Sequence, residues 1–251
     1  MSFCIYPLYM YKTNIEVCLS TELLHLFDIR DFLVVIVDIF RATSTITAAL
    51  GNGCLSIRPV KNIDEALLWR KQNYVLAGEK DGIKINGFDL GNSPVEVKNF
   101  DFNTRKMAFI TTNGTYAINK SLLAKEILIG SFHNITVLAN YLKTVAQKSL
   151  ILCAGWKGNP CLEDCLFAGA LVHELSDSFL IKQDAALICQ EIFLNAKHDL
   201  VSFCKKSSHY ARLYEMGIEQ DLVECLRINF YPVLAGFNKE TNEILPLNLK
   251  L

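Results

Sequence analysis

The sequence predicts a layered α/β fold with a largely parallel or mixed sheet. Helix-like segments alternate with apolar runs of strand length, and those runs lack a clean apolar/polar alternation, as in strands covered on both faces. The runs are 33–37, 74–77, 107–110, 126–130 and 149–153, and the helical segments include 62–71, 132–147 and 162–175. We therefore expect helices on both sides of a central sheet.

Composition excludes several classes of protein. Hydrophobic residues make up 51 % of the 251 residues and charged residues 20 %, as in a folded protein. The formal net charge is −1 and there is no block of Lys or Arg, so we expect neither a nucleic-acid partner nor a membrane partner. A small anionic substrate is the expected partner. A homodimer is left open.

The N-terminal stretch and the cysteines predict the cellular location of the protein. Lys12 and Glu16 interrupt the apolar N-terminal stretch, which predicts neither a signal peptide nor a membrane span. Nine cysteines without a CxxC pair predict reduced thiols in a cytoplasmic protein. No linker is evident, so we expect one domain over 1–251, with two α/β lobes as the alternative.

The first predicted strand, 33–37, is followed by the polar stretch "DIFRATST". It contains Asp38, Arg41 and the hydroxyl residues Thr43, Ser44 and Thr45. A guanidinium can bind phosphate or carboxylate through two hydrogen bonds. The alternatives are that Asp38 only caps the next helix and that Arg41 only pairs with Asp38.

The strand at 74–77 is followed by a long loop, 78–94, which contains four glycines and Glu79. Loops of that length in a compact domain are usually functional or mobile. The loop ends in "GNSP", which contains Asn92 and predicts Ser93 as an N-cap with Pro94 at the first helical position.

Two more strands have the same pattern of small polar residues at their ends. The run 107–110 precedes Thr111, Thr112, Asn113, Gly114 and Thr115, and the run 149–153 precedes Gly155 and then the pair Glu163 and Asp164. By themselves, Asn113-Gly114 is a common turn and the acidic pair suits a helix N-terminus. Beyond residue 182 we expect helices to 227 and a strand pair at 229–235 and 243–249.

Three strand–loop–helix units with similar chemistry predict a common pocket. If the three strands run parallel, their loops converge at one edge of the sheet. Helix N-termini, hydroxyls and Arg41 favour an oxyanion such as phosphate. The carboxylates of Asp38, Glu79, Asp89 and Asp164 would repel it unless Mg²⁺ intervened. The sequence therefore predicts Mg²⁺-assisted phosphate chemistry.

Familiar phosphate-binding motifs are missing. There is no GxxxxGK[ST] motif, no cysteine is followed by arginine six positions later, and the dinucleotide pattern fails after "GNGC". A strand ending in aspartate suggests a haloacid-dehalogenase-type phosphatase, but Phe40 stands where a second aspartate is needed. The acid that would protonate the leaving group is thus not evident.

Six ordered motifs together resemble the 2-phosphosulfolactate phosphatase family (ComB-type). They are "DIFRATSTI", "LAGEKDGIKINGFDLGNSP", "TTNGT", "GSFHN", "CAG" and "EDCLFAGAL", with a weaker similarity in "SSHYARLYEMGIEQDL". The resemblance implies a Mg²⁺-dependent hydrolase that converts 2-phospho-3-sulfolactate to 3-sulfolactate and phosphate, a reaction of coenzyme M biosynthesis. Lys80 and the pair Trp156-Lys157 depart from the expected pattern and put the particular substrate in doubt.

These arguments assign roles to named residues. Expected catalytic residues are Asp38, Arg41 and Glu79, and expected Mg²⁺ ligands are Asp38, Glu79 and Asp164. Expected substrate-binding residues are Thr43, Ser44, Thr45, Asn92, Ser93, Thr111, Thr112, Asn113, Gly114, Thr115 and Gly155. The attacking group is either a water with Glu79 as base or Asp38 itself. The alternative functions are a phosphatase for a related phospho-carboxylate and a non-catalytic sensor of phosphorylated metabolites.

Overall fold

A computed structural model describes residues 12–247, and a ten-stranded sheet is its central element. The spatial order of the strands is β1-β8-β2-β7-β9-β10-β3-β6-β4-β5. In chain order they are β1 (Ile15–Cys18), β2 (Leu33–Val37), β3 (Ile57–Pro59), β4 (Val75–Lys80), β5 (Ile83–Lys84), β6 (Met107–Ile110), β7 (Glu126–Gly130), β8 (Ser149–Cys153), β9 (Ala235–Asn238) and β10 (Glu243–Pro246).

Helices connect most of the strands. They are α1 (Ala42–Gly51), α2 (Ile63–Arg70), α3 (Pro94–Lys98), α4 (Asn113–Lys120), α5 (Ile135–Val145), α6 (Leu162–Leu175), α7 (Asp184–Ala196), α8 (Leu200–Cys204), α9 (Ser208–Glu215) and α10 (Glu219–Cys225). Short 3-10 helices cover Thr21–Leu26, Ile29–Asp31 and Phe132–Asn134.

The sheet is mixed. Strands β1, β8, β2 and β7 form one parallel group, and β3, β6 and β4 form another. The antiparallel pair β9–β10 joins the two groups, and β5 pairs antiparallel with β4 at the edge. The predicted layered α/β fold with a largely parallel or mixed sheet is confirmed.

The burial of strand β2 on both faces explains why apolar and polar residues do not alternate along it. All five of its residues are buried. Leu33, Val35 and Val37 pack into one core cluster, with α5, α6 and α7, whereas Val34 and Ile36 pack into another, with α1 and α4. Since both faces are covered by helices, both sets of side chains must be apolar.

Local signals in the sequence located several elements correctly. Strands are found at 33–37, 107–110, 126–130 and 149–153, as expected. Asn62 caps α2, since its side chain accepts a hydrogen bond of 2.9 Å from Glu65 N. Ser93 caps α3 in the same way, with 3.0 Å to Glu96 N. The helical segments at 62–71, 132–147 and 162–175 are also confirmed within a few residues.

Two expected boundaries are wrong. The segment 78–94 is not entirely loop, because β4 continues to Lys80 and pairs with β5. The strand expected at 229–235 begins only at Ala235, because Asn229 N and Tyr231 N donate hydrogen bonds to Phe132 O and His133 O, not to the sheet. The partner strand ends at Pro246, and the last two residues of its predicted range lie outside the described part.

The direction of β6 differs from the simple prediction of three parallel strands. Three successive antiparallel pairings between β7 and β3 make β6 run opposite to β2 along the sheet. The loops after β2 and β6 nevertheless meet, since a Cβ at Gly114 would lie 3.6 Å from Asp38 Oδ2. Sheets twist by about 20–25° at each strand-to-strand step, and five steps separate β2 from β6, so we expect the two strands to be rotated well away from a flat antiparallel arrangement.

Two further findings concern the helices and the cysteines. No helix within residues 12–247 is both long enough and apolar enough to cross a membrane. The eight cysteines of this range are all free and buried, as the composition predicted, and Cys4 lies outside it.

Candidate active site

A cavity of 240 Å³ lies where the loops after β2, β4, β6 and β8 meet helix α9. It is small for a ligand pocket, which suits a substrate of a few carbon atoms. Its lining residues are Asp38, Phe40, Arg41, Glu79, Asp81, Gly82, Asn92, Thr111, Thr112, Asn113, Trp156, Lys157, His209, Arg212 and Leu213. All three residues expected to be catalytic are among them.

Asp38 lies at the floor of this cavity, at the end of β2. It is buried, and its main-chain carbonyl accepts a hydrogen bond of 2.9 Å from Thr43 N in the first turn of α1. Burial raises the pKa of the Asp38 carboxyl to about 6, against the opposing effects of His209 and the N–H of Ala42, and the acidic groups of Glu79 and Glu163 raise it further. The Asp38 carboxyl is therefore protonated more readily than that of an ordinary aspartate.

Asp164, in the first turn of α6, ties two strand ends together. Its Oδ1 accepts a hydrogen bond of 2.9 Å from Ile39 N after β2, and its Oδ2 accepts one of 3.1 Å from Gly155 N after β8. Burial, with Glu163 and Asp38 nearby, raises the pKa of Asp164 well above its usual range. Asp164 is not a lining residue of the cavity, but it is near enough to Asp38 and Glu163 for both to raise its pKa.

Glu79 is held from two sides at the end of β4. One oxygen, Oε2, accepts a hydrogen bond of 2.6 Å from Gly82 N. The other, Oε1, lies 3.2 Å from Thr112 Oγ1 and 3.3 Å from Thr112 N. These contacts fix the carboxylate at the cavity wall, between the loop after β4 and the start of α4.

Arg41 is anchored by protein groups. Its Nη1 donates to Asp221 Oδ2 at 2.6 Å and its Nη2 donates to Gly82 O at 2.9 Å. The expected alternative, a pair with Asp38, is not found. Because each Nη carries a second proton, the guanidinium can be fixed by the protein and still donate into the cavity.

Two of the three hydroxyls expected after Arg41 donate hydrogen bonds to the main chain. Thr43 Oγ1 donates to Asp38 O at 3.0 Å and Ser44 Oγ donates to Ile39 O at 2.9 Å. Thr45 is also fully buried, and its hydroxyl has no partner among the described residues. None of the three lines the cavity. The hydroxyls of Thr43 and Ser44 thus support the loop that carries Asp38.

The loop after β6 contributes Thr111, Thr112 and Asn113 to the cavity. Thr115 does not line it, and its N–H donates to Thr111 Oγ1 at 3.2 Å. Gly114 packs closely against α1, where a Cβ would lie 3.0 Å from that of Ala42. The loop can approach Asp38 closely because Gly114 has no side chain.

Of the remaining residues expected to bind substrate, Asn92 lines the cavity and Ser93 and Gly155 do not. Asn92 lines the cavity, and its buried Oδ1 has no hydrogen-bond partner among residues 12–247. Ser93 instead caps α3 and donates to Asp221 Oδ1 at 2.5 Å. Gly155, with a φ of 70°, brings its N–H to Asp164.

The sequence did not predict the pair formed by His209 and Glu163. His209 Nδ1 lies 2.6 Å from Glu163 Oε1, and the ring stacks on Trp156 with 5.2 Å between centroids and 10° between planes. His209 stands in the "SSHYARLYEMGIEQDL" segment, where only the family similarity gave a signal.

Two cationic residues at the cavity were also missed as site residues. Lys157 and Gly158 have φ values of 51° and 78° at the centre of a tight turn, which Trp156 and Asn159 close with hydrogen bonds of 2.9 and 3.0 Å. This turn presents Lys157 beside Arg212, whose Nη2 donates to Asp81 O at 2.8 Å. The cavity thus has carboxylates at its floor and cations at its rim.

The acidic floor fits a hard divalent cation. Besides burial, Glu79 and Glu163 raise the pKa of Asp38, and Glu163 and Asp38 raise the pKa of Asp164. A bound cation would relieve this repulsion, and oxygen ligands of this kind suit Mg²⁺.

Cys161, Glu163 and His209 have ligand atoms within 4.8 Å of one another, but their spacing indicates a hydrogen bond. Two ligands on one tetrahedral zinc stand roughly 3.3 Å apart, given metal–ligand distances of about 2.0–2.2 Å. The 2.6 Å between His209 Nδ1 and Glu163 Oε1 is shorter and typical of a charge-assisted hydrogen bond.

Comparison with known proteins gives one consistent result. The family model described as 2-phosphosulpholactate phosphatase matches residues 18–240. A protein of Thermotoga petrophila named "Probable 2-phosphosulfolactate phosphatase" is 39 % identical over 191 residues, which cover 76 % of this chain and 82 % of that protein. A protein of Clostridium tetani with the same name is 34 % identical over 228 residues, which cover 89 % of this chain and 97 % of that protein.

Proposed function

The chain belongs to the 2-phosphosulfolactate phosphatase family, which makes it a hydrolase of phosphoric monoesters, and we propose that it converts 2-phospho-3-sulfolactate to 3-sulfolactate and phosphate with Mg²⁺. Membership of a phosphatase family favours this activity over a sensor. A cytoplasmic location and a role in coenzyme M biosynthesis are part of the same proposal.

One observation carries the proposal: the cavity combines buried carboxylates with fixed cationic and N–H donors in 240 Å³. The substrate of the proposed reaction carries a phosphate, a carboxylate and a sulfonate on three carbons. A site for it needs several anion donors, and carboxylates are useful there only when a cation bridges them to the phosphate. Both sets of groups line or lie close to the same small cavity.

Asp38, Glu79 and Asp164 would hold the Mg²⁺ ion. When bound, the ion neutralises phosphoryl oxygens and so makes phosphorus easier to attack. Asp164 uses one lone pair of each oxygen for the N–H groups of Ile39 and Gly155, so it also fixes the two strand ends that carry the other groups.

Arg41 stabilises the transferring phosphoryl group. Its attachment to Asp221 and Gly82 O holds the guanidinium in place before substrate binds, so no reorganisation is needed as charge develops. The N–H groups at the start of α4 add donors near Thr112 and Asn113. Positioning and electrostatics of this kind account for most of the catalysis of phosphoryl transfer.

Two routes for the attack on phosphorus stay open. In one, Glu79 removes a proton from the attacking water. In the other, Asp38 attacks and forms an acyl phosphate that water then hydrolyses. Acid quenching during a single turnover separates them, since a hydroxylamine-sensitive phosphoryl group on the protein requires the covalent route. Its absence at every time point would contradict that route.

Residues at the rim of the cavity determine which phosphorylated acid binds. Lys157 and Arg212 provide positive charge for the carboxylate and sulfonate, and Asn92 adds an amide. The competing proposal is a related phospho-carboxylate as substrate.

The test is phosphate release from 2-phospho-3-sulfolactate, 2-phospholactate and 3-phosphoglycerate, each with Mg²⁺ and with EDTA. We expect the highest kcat/KM for 2-phospho-3-sulfolactate and no turnover in EDTA. A higher kcat/KM for either other acid would overturn the substrate assignment, and no release from any of them would overturn the activity.

A further inference from the structure

His209 is held in the cavity wall by a single carboxylate. The bond from its Nδ1 to Glu163 Oε1 is 2.6 Å, and both residues are buried. Glu163 Oε2 has no hydrogen-bond partner among residues 12–247, so His209 is the only partner of this carboxylate in the described chain. A buried carboxylate with one such contact acts chiefly on the imidazole.

Aromatic rings restrict the imidazole further. Trp156 stacks on one face at 5.2 Å, and Phe40 lies at 6.4 Å with a tilt of 56°. All three rings line the cavity. No hydrogen bond of His209 Nε2 is found within the described part of the chain, so this nitrogen is available for a ligand.

The proposed reaction needs a proton donor that the earlier assignments do not supply. The leaving group is the alkoxide of a 2-hydroxy acid, which is a strong base and leaves poorly without a proton. Histidine is the side chain most often used for this transfer, and a carboxylate on the other ring nitrogen orients the ring and stabilises the imidazolium.

We propose that His209 is the general acid that protonates the bridging ester oxygen, with Glu163 as its positioning residue. This inference rests on the proposed function. As the P–O bond breaks, its electron pair stays on the bridging oxygen, which takes the proton from Nε2 and becomes the hydroxyl of the product acid. Water supplies the oxygen that phosphorus gains, and solvent returns a proton to the ring.

The test compares two leaving groups in His209→Gln. The alkyl ester 2-phospho-3-sulfolactate needs the proton, whereas 4-nitrophenyl phosphate releases a phenolate that is stable near neutral pH. We expect kcat/KM to fall by about 10²–10⁴-fold for the alkyl ester and by less than about tenfold for the aryl ester. Equal losses for the two esters would overturn the assignment.

Two further variants provide a second test and a control. Glu163→Gln keeps the size of the side chain but removes its charge, and it should show the same preference for the aryl ester to a smaller degree. If His209→Gln does not fold, the comparison of the two esters in Glu163→Gln tests the assignment instead. The exposed His198→Gln is the matched control and should leave both rates unchanged. Wild-type protein that hydrolyses neither ester would refute the proposed function itself.

Discussion

Arg41 and Asp221, which stand 180 residues apart, form a buried ion pair with 2.6 Å between Nη1 and Oδ2. Asp221 Oδ1 also accepts a hydrogen bond of 2.5 Å from Ser93. Through this one carboxylate, helix α10 is tied both to the loop after β2 and to the start of α3. The position of Arg41 in the cavity therefore depends on a distant part of the chain.

Replacing Asp221 by Ala should be costly. It leaves the Arg41 guanidinium buried without a counter-charge, which typically lowers the free energy of unfolding by about 3–5 kcal/mol. Urea unfolding followed by circular dichroism measures this change. The matched control is Asp28→Ala, which removes the exposed pair with Arg30 and should leave the midpoint nearly unchanged. Equal effects of the two changes would contradict this account of Asp221.

Replacing Gly155 by Ala should be more harmful than the same change at Gly53. Both glycines have positive φ, 70° and 90°, and share the cost of that conformation. A Cβ at Gly155 would also lie 2.5 Å from Asn159 O, whereas one at Gly53 meets nothing within 4 Å. We expect Gly155→Ala to cost about 1–3 kcal/mol more in unfolding free energy. Similar melting temperatures for the two variants would rule out this crowding.

The contribution of Asp38 to stability without Mg²⁺ should fall as the pH rises from about 4 to 7. Because the pKa of Asp38 is raised to about 6 in the folded state, folded protein binds more protons than unfolded protein in this range, and the free energy of unfolding decreases with pH. The contribution of Asp38 is about 3 kcal/mol.

Asp38→Asn should flatten this decline, and the exposed Asp31→Asn should not. Urea unfolding of the wild type and both variants at several pH values, in EDTA, measures the effect. Added Mg²⁺ should stabilise the wild type more at pH 7 than at pH 4, because the Asp38 carboxyl is ionised only above about pH 6. An Asp38→Asn variant with the wild-type slope would refute the assigned cause.

Lys157→Met should reduce the preference for the sulfonated acid. It removes a charge from the rim and not from the acidic floor, so we expect KM for 2-phospho-3-sulfolactate to rise about tenfold or more, with a smaller change for 2-phospholactate. This corresponds to about 1.4 kcal/mol or more of binding. The matched control is the exposed Lys71→Met at the C-terminal end of α2, which does not line the cavity. Equal KM changes for the two acids would show that Lys157 does not contact the sulfonate.

Local sequence patterns predicted those parts of the fold that depend on neighbouring residues. The buried run of β2 and the cap at Ser93 are properties of short segments, and both were located. A strand pair was expected near β9 and β10, but its place between the two parallel groups, which reverses the direction of the second group, could not be foreseen because strand order depends on long-range pairing.

The same limit applies to the site. Asp38, Glu79 and Arg41 were expected in one pocket because each follows a strand or lies next to its end. The direction of the Thr43 and Ser44 hydroxyls, toward the main chain, is set by the turn they occupy and not by their type. His209 comes from a helix with no motif of its own, and only tertiary structure brings it to Glu163.

The most direct test of the central claim is phosphate release from 2-phospho-3-sulfolactate by the wild type and by Asp38→Asn, each with Mg²⁺ and with EDTA. We predict turnover only by the wild type with Mg²⁺, and loss of at least about 10²-fold in the variant although it stays folded by circular dichroism. Turnover in EDTA, or a variant as active as the wild type, would contradict the claim that a carboxylate-bound cation drives the reaction in this cavity.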